Sequence, residues 1–165
     1  MNLRRATLTD LPALLPRVRE FHLSFGFPWV EDHKRMLLAT ALQQPGNTEV
    51  WLAETDAGAV VGYAIIAFWF SLELEGRTAL LDEFYLMPDY RGKGAGTSLL
   101  GQLELILQRQ GIRWLRLEVD PVHGEAARLY ERCGFRPGRT LWSKALQPSA
   151  DRKSTRLNSS HLVIS

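Results

Sequence analysis

Residues 81 to 100 read LDEFYLMPDYRGKGAGTSLL. An apolar run carrying two adjacent acids, Asp82 and Glu83, stops at Pro88; glycines follow at 92, 94 and 96, and an apolar helical pattern begins at once. Such backbone freedom between a strand and a helix lets the chain turn sharply and lets a ligand approach the main chain. The first N–H groups of a helix have no partners inside it. The macrodipole adds about half a positive charge there, so the junction suits a phosphate. Arg91 and Lys93 would add charge-assisted contacts. Two familiar nucleotide loops do not fit, because GxxxxGK[ST] is absent and the glycine spacing fails GxGxxG.

Working outward, Leu99, Leu100, Leu103, Ile106 and Leu107 form one apolar helical face, closed by Gly111. WLRLEV at 114 to 119 alternates as a strand should, a short helix is expected from about 124 to 133, and a last strand near 139 to 146. Upstream, Leu11, Leu14, Leu15, Val18 and Phe21 recur at helical spacing, with Pro12 in the tolerated first turn and Pro16 as a kink. A second helix is expected over 31 to 43, ahead of Pro45-Gly46. VWLAET at 50 to 55 and the run from 59 to 72, joined by a turn at 56 to 58, read as a hairpin of buried strands. TALLDEFYLM at 78 to 87 is the next strand. The sum is an α/β domain with a mixed sheet.

The chain has 165 residues, 45% of them hydrophobic, which is enough for one core and too little for two. MNLRRATLTD has no apolar stretch followed by a small-residue cleavage site, and AVVGYAIIAFWF at 59 to 70 is shorter than the ~20 residues of a membrane helix. A cytoplasmic protein with no membrane partner is expected. Cys133 is the only cysteine, which excludes an internal disulfide, and the four histidines show no ligand spacing, so no metal is indicated. Residues 149 to 165 are read as a disordered tail, of which DRKSTRLNSSHLVIS at 151 to 165 resembles a translated sequencing-library adapter. Its basic residues carry the whole charge excess. The rest of the chain is balanced, which argues for no nucleic-acid partner.

Residues 81 to 100, taken with LEVDPVHGEAARLYERCGF at 117 to 135, resemble the GNAT superfamily of acetyl-CoA-dependent N-acetyltransferases. Arg91, Gly94 and Gly96 match its Q/R-x-x-G-x-G/A hallmark, and Ala126, Leu129, Tyr130, Gly134 and Phe135 match its A-x-x-L-Y-x-x-x-G-F segment. The resemblance spans about residues 2 to 147. The expected fold is then α/β (α+β): one GNAT-like domain at 1 to 148, with a mixed, mostly antiparallel sheet of six or seven strands flanked by about four helices. The resemblance implies that the pyrophosphate of coenzyme A rests on the backbone of Arg91, Gly92, Lys93, Gly94, Ala95, Gly96 and Thr97. Backbone groups of Leu86 and Met87 would meet the acetyl carbonyl, whose oxygen gains charge during transfer.

A primary ammonium has a reference pKa of about 10.4, so a base must strip its proton before attack. Asp82 and Glu83 are the candidates, and strand alternation sends them to opposite faces unless a bulge intervenes. The resemblance points to Tyr130 as the acid for the departing thiolate, although Ala126, Leu129, Tyr130 and Cys133 share a helical face that would also serve a core. Cys133 reads as a packing residue. Asp120 and His123 stand where relatives commonly carry asparagines; His123 can still bond the cofactor arm. In FHLSFGFPW at 21 to 29, Phe25, Phe27 and Trp29 are candidates for the acceptor pocket that the resemblance places there, and Phe68, Trp69 and Phe70 are candidates to face it. Glu73 and Glu75 could help attract a cationic amine. The wording DEFYLMPDYRG is close to diamine acetyltransferases, which implies a small-molecule amine; a protein N-terminal or lysine acetyltransferase and a non-catalytic acyl-CoA sensor stand as alternatives. Many relatives pair, so a homodimer is implied.

Overall fold

A computed structural model describes residues 1–43, 46–119, 124–138 and 141–144. The elements run β1 (Asn2–Arg5), α1 (Leu11–Ser24), α2 (Glu31–Gln43), β2 (Thr48–Glu54), β3 (Val60–Ser71), β4 (Gly76–Leu86), α3 (Ala95–Arg109), β5 (Leu115–Leu117) and α4 (Gly124–Arg132). One sheet takes the order β1-β2-β3-β4-β5; the first three pairings are antiparallel and β4 with β5 is parallel. α2 occupies the residues its sequence signals marked, and α1 runs as one helix through Pro16 to Ser24.

The sheet has five strands among the described residues, not six or seven. β1 adds a strand that no periodicity announced, while WLRLEV contributes only Leu115–Leu117. The shortening has a geometric cause: β5 pairs with Ala79–Leu81 alone and then leaves β4. The strand expected near 139 to 146 falls partly outside the described residues, and Leu141 and Trp142 within it are exposed and not in a strand. His123 and Asp120 also lie outside the described residues, as does everything from 145 onward.

Both faces of the sheet are covered. α1 and α2 pack on one through Leu14, Leu15, Val18 and Leu38 against Val50, Leu52, Tyr63 and Tyr85. α3 packs on the other through Leu100, Leu103 and Leu107 against Ala64, Ile66, Ala79 and Leu81, with Leu129, Tyr130 and Cys133 of the α4 region beside them. Each fully buried leucine contributes roughly 1.5–3 kcal/mol. β3 and β4 approach unusually closely at Gly62, where a Cβ would strike the carbonyl oxygen of Tyr85. Only glycine fits this position, and it holds β4 against β3 at the point where the strand enters the candidate site.

Among the described residues no helix is long and apolar enough to cross a membrane.

Candidate active site

The register of β3 on β4 slips between Ile65 and Ile66, which pair with Glu83 and Leu81 respectively. Asp82 is the extra residue of a β-bulge. The bulge resets the pleat: Ala79 and Leu81 face α3, and beyond Asp82 it is Phe84 that joins that side while Glu83 and Tyr85 turn to the α1 face. The two acids therefore sit in different surroundings. Asp82 is exposed, yet enough protein surrounds it that burial, then the charges of Glu83 and Glu118, hold its carboxyl above the ordinary value.

Glu83 is held by two side chains. The Tyr63 hydroxyl donates to Oε2 at 2.6 Å, and His22 Nε2 lies 2.9 Å from Oε1. Tyr63 is almost wholly buried, and that burial, followed by the adjacent Glu83 charge, pushes its phenol far up. A second, parallel pairing lies one pleat further on, where the Tyr85 hydroxyl donates to Glu20 Oε2 at 2.8 Å and Glu20 is itself ion-paired to Arg17 at 2.6 Å. Burial and the bond to Glu20 raise the Tyr85 phenol too.

None of His22, Tyr63, Glu20 or Tyr85 was marked as a site residue by sequence. His22 carried a usable signal: it lies four residues after Val18 on the buried stripe of α1, a polar group where the pattern asks for an apolar one. It links Glu83 to the aromatic loop, since its ring meets Phe27 at 5.6 Å and Trp29 at 5.8 Å, both edge-on. Phe25 stacks on Phe27 at 5.7 Å, so of the three aromatics proposed for the acceptor two meet the imidazole and the third joins them through Phe27. Phe27 is 46% exposed and faces solvent. Glu75 is instead ion-paired with Arg113 at 3.1 Å, and Glu73 lies in the same turn at the far end of the β3–β4 hairpin, roughly 25 Å of strand from Glu83. Phe70 is exposed, and Phe68 lies under the Arg77 guanidinium at 4.0 Å.

The glycine junction forms as a strand end, a single 3-10 turn at Pro88–Tyr90, and a helix whose N-cap is Gly94. Gly92 and Gly94 take φ of 74° and 79°, which L-residues disfavour, so here the glycines answer a backbone demand. Gly96 answers a spatial one, because a Cβ would press on Leu129 Cδ2 at 3.2 Å. The amide of Arg91 bonds Pro88 O and that of Ser98 bonds Gly94 O, while the N–H groups from 92 to 97 have no partner among the described residues. Six donors at a positive helix end form a cradle that fits a pyrophosphate.

The basic side chains are differently employed. Arg91 Nε donates to Leu86 O at 2.6 Å with its guanidinium 5.4 Å from the Tyr85 ring centroid, tying the end of β4 to the cradle. Lys93 Nζ donates to Asp89 O at 3.3 Å. The Met87 amide bonds Val61 O at 2.9 Å on the β3 side. Strand alternation then turns the Leu86 amide to the opposite edge, where no strand pairs with β4 beyond Leu81 among the described residues.

Tyr130 packs on the α3 side, its ring edge-on to Phe135 at 5.7 Å. Burial holds its phenol above the ordinary value, so it carries its proton at neutral pH. No hydrogen bond joins it to Glu83; the two lie in cores on opposite sides of the β4 strand. Cys133 is half-buried in the same core. No cluster of three or more metal-ligating side chains occurs among the described residues.

An α/β domain whose parallel strand pair parts ahead of a glycine-lined helix start presents, among its described residues, unpaired backbone amides of the kind that suit a phosphate. The chain belongs to the acetyltransferase (GNAT) family, whose model matches residues 15–135. It is 32% identical over 98 residues to the thialysine N-epsilon-acetyltransferase of Mus musculus, covering 59% of this chain and 53% of that protein. It is 24% identical over 147 residues to the spermidine N(1)-acetyltransferase of Thermoplasma acidophilum, covering 82% and 88%. The chain spans about half the length of the first curated relatives it matches. Among solved structures, an integron cassette protein from the mobile metagenome of Cole Harbour Salt Marsh superposes with a TM-score of 0.76 at 31% identity, over 88% of this chain and 91% of that one.

Proposed function

We propose that this protein is an N-acetyltransferase that moves an acetyl group from acetyl-CoA to a primary amine of a small molecule. The observation that carries the reading is the row of unpartnered amides at 92 to 97 adjoining the open edge of β4. The cradle holds the pyrophosphate, and the Leu86 amide, aimed at the open edge, receives the acetyl oxygen. Acetyl-CoA supplies an activated acyl group; the chain aligns it and manages two protons.

Glu83 takes the proton of the incoming ammonium, directly or through a water. Its neighbours favour it over Asp82 for this role. Through His22 it is linked to Phe27 and Trp29, its side chain is 17% exposed, and its two partners, Tyr63 and His22, leave it without an Arg or Lys counter-ion among the described residues. A carboxylate so placed attracts a cation. Tyr130, protonated at neutral pH, gives its proton to the departing thiolate. The relatives named for thialysine and spermidine act, by those names, on amines, and support a cationic small-molecule acceptor here.

The test is calorimetry of the full chain with acetyl-CoA, followed by an amine panel including spermidine, thialysine and an aminoglycoside, read by free-thiol release. Saturable binding and thiol release with at least one amine are expected. Absence of binding at millimolar acetyl-CoA would overturn the reading.

A further inference from the structure

His22 is buried on the α1 side of the sheet, and its second ring nitrogen, Nδ1, is also buried and without a hydrogen-bond partner among the described residues. That bare atom decides the state of the ring. A protonated imidazole would bury an N–H at Nδ1 with no acceptor and a cation with it, and a neutral ring accepting a hydrogen bond at Nε2 from a protonated Glu83 would carry Nδ1–H, equally orphaned. The arrangement with the least desolvation cost is a neutral ring carrying its hydrogen on Nε2 and donating it to Glu83 Oε1, with Nδ1 left unprotonated.

We propose that His22 is a positioning residue for the base, working as the neutral Nε2–H tautomer. It acts through Glu83 and so rests on the reading of Glu83 as the base. With Tyr63 on one carboxylate oxygen and His22 on the other, both donors neutral, the carboxylate is clamped in one rotamer while keeping its full charge. The charged and titratable groups bearing on this clamp are Asp82 and Tyr85 from β4, Tyr63 from β3, and Glu20 and Arg17 from α1 through Tyr85.

Three variants of the full chain separate the possibilities, each checked for acetyl-CoA affinity. Glu83→Gln should abolish thiol release while still binding acetyl-CoA; a wild-type rate for it would remove the base assignment and this inference with it. His22→Leu should lower kcat by roughly 10- to 100-fold, the scale of an ångström-sized misplacement, with acetyl-CoA affinity unchanged and the acid limb of the kcat pH profile displaced. His22→Gln, whose amide reaches the Nε2 position, should restore most of the rate. An inactive Glu83→Gln accompanied by equal rates and unshifted profiles for the two His22 variants would overturn the role of His22 alone. Nitrogen-15 shifts of the wild-type imidazole give a readout that needs no folded mutant. A proton on Nε2 only at neutral pH is expected, and a doubly protonated ring would refute the proposal.

Discussion

Tyr63→Phe removes one atom from the clamp on Glu83, and its cost can be worked out from the structure. The lost bond is 2.6 Å long, its acceptor is an ionised carboxylate, the tyrosine is 1% exposed and the glutamate side chain 17% exposed. Hydrogen bonds to charged groups contribute roughly 1.5–3 kcal/mol, and so little exposure leaves water few ways to replace the donor, so about 2 kcal/mol is expected. For a domain of this size that corresponds to a fall in Tm of roughly 4–8 °C at neutral pH. The difference should depend on pH with a definite sign. The Tyr63 phenol is raised in the folded state, so its contribution is complete below the unfolded value near 10 and is lost as the pH rises beyond it. Melts followed by circular dichroism should show the wild type and Tyr63→Phe converging above about pH 10. Equal melting temperatures at pH 7, or a gap that persists unchanged into alkali, would refute the reasoning.

Tyr130→Phe should reduce turnover by roughly 10²- to 10⁴-fold with acetyl-CoA affinity intact by calorimetry; a rate near wild type would remove it as the acid. Gly94→Ala forces an alanine into a φ of 79°, a strain of roughly 1–2 kcal/mol, and should weaken acetyl-CoA binding along with stability. Asp82→Asn should raise stability slightly at pH 7, by no more than about 0.5 kcal/mol because the residue is exposed, read as a small rise in Tm. The raised Asp82 carboxyl costs stability only where it is ionised, so the gain should vanish below about pH 4, and a loss of stability at pH 7 would contradict it.

The parts of this molecule that follow from local chemistry could be read before the structure. α2 ends just ahead of the Pro45-Gly46 pair that marked its stop, and the turn into α3 uses positive φ at Gly92 and Gly94, where the sequence places glycine. The choice between Asp82 and Glu83 was posed by sequence and turns on a register slip opposite Ile65 and Ile66, which is a property of two strands together. The clamp on Glu83 was invisible because its members are 61 and 20 positions away and meet only when α1 is laid across β3 and β4. β1 escaped for a related reason, since its four residues have no period of their own and are ordered by pairing with β2.

The parting of β5 from β4 after Leu81 leaves main-chain groups of an interior strand without a strand partner among the described residues. An open border of this kind is ordinarily an invitation to strand addition by another chain. Here the border is interrupted at its first position by the bulge, and the residue that bulges is a charged aspartate. The parted border thus carries its own guard against self-association, and an apolar side chain at position 82 would give that guard away.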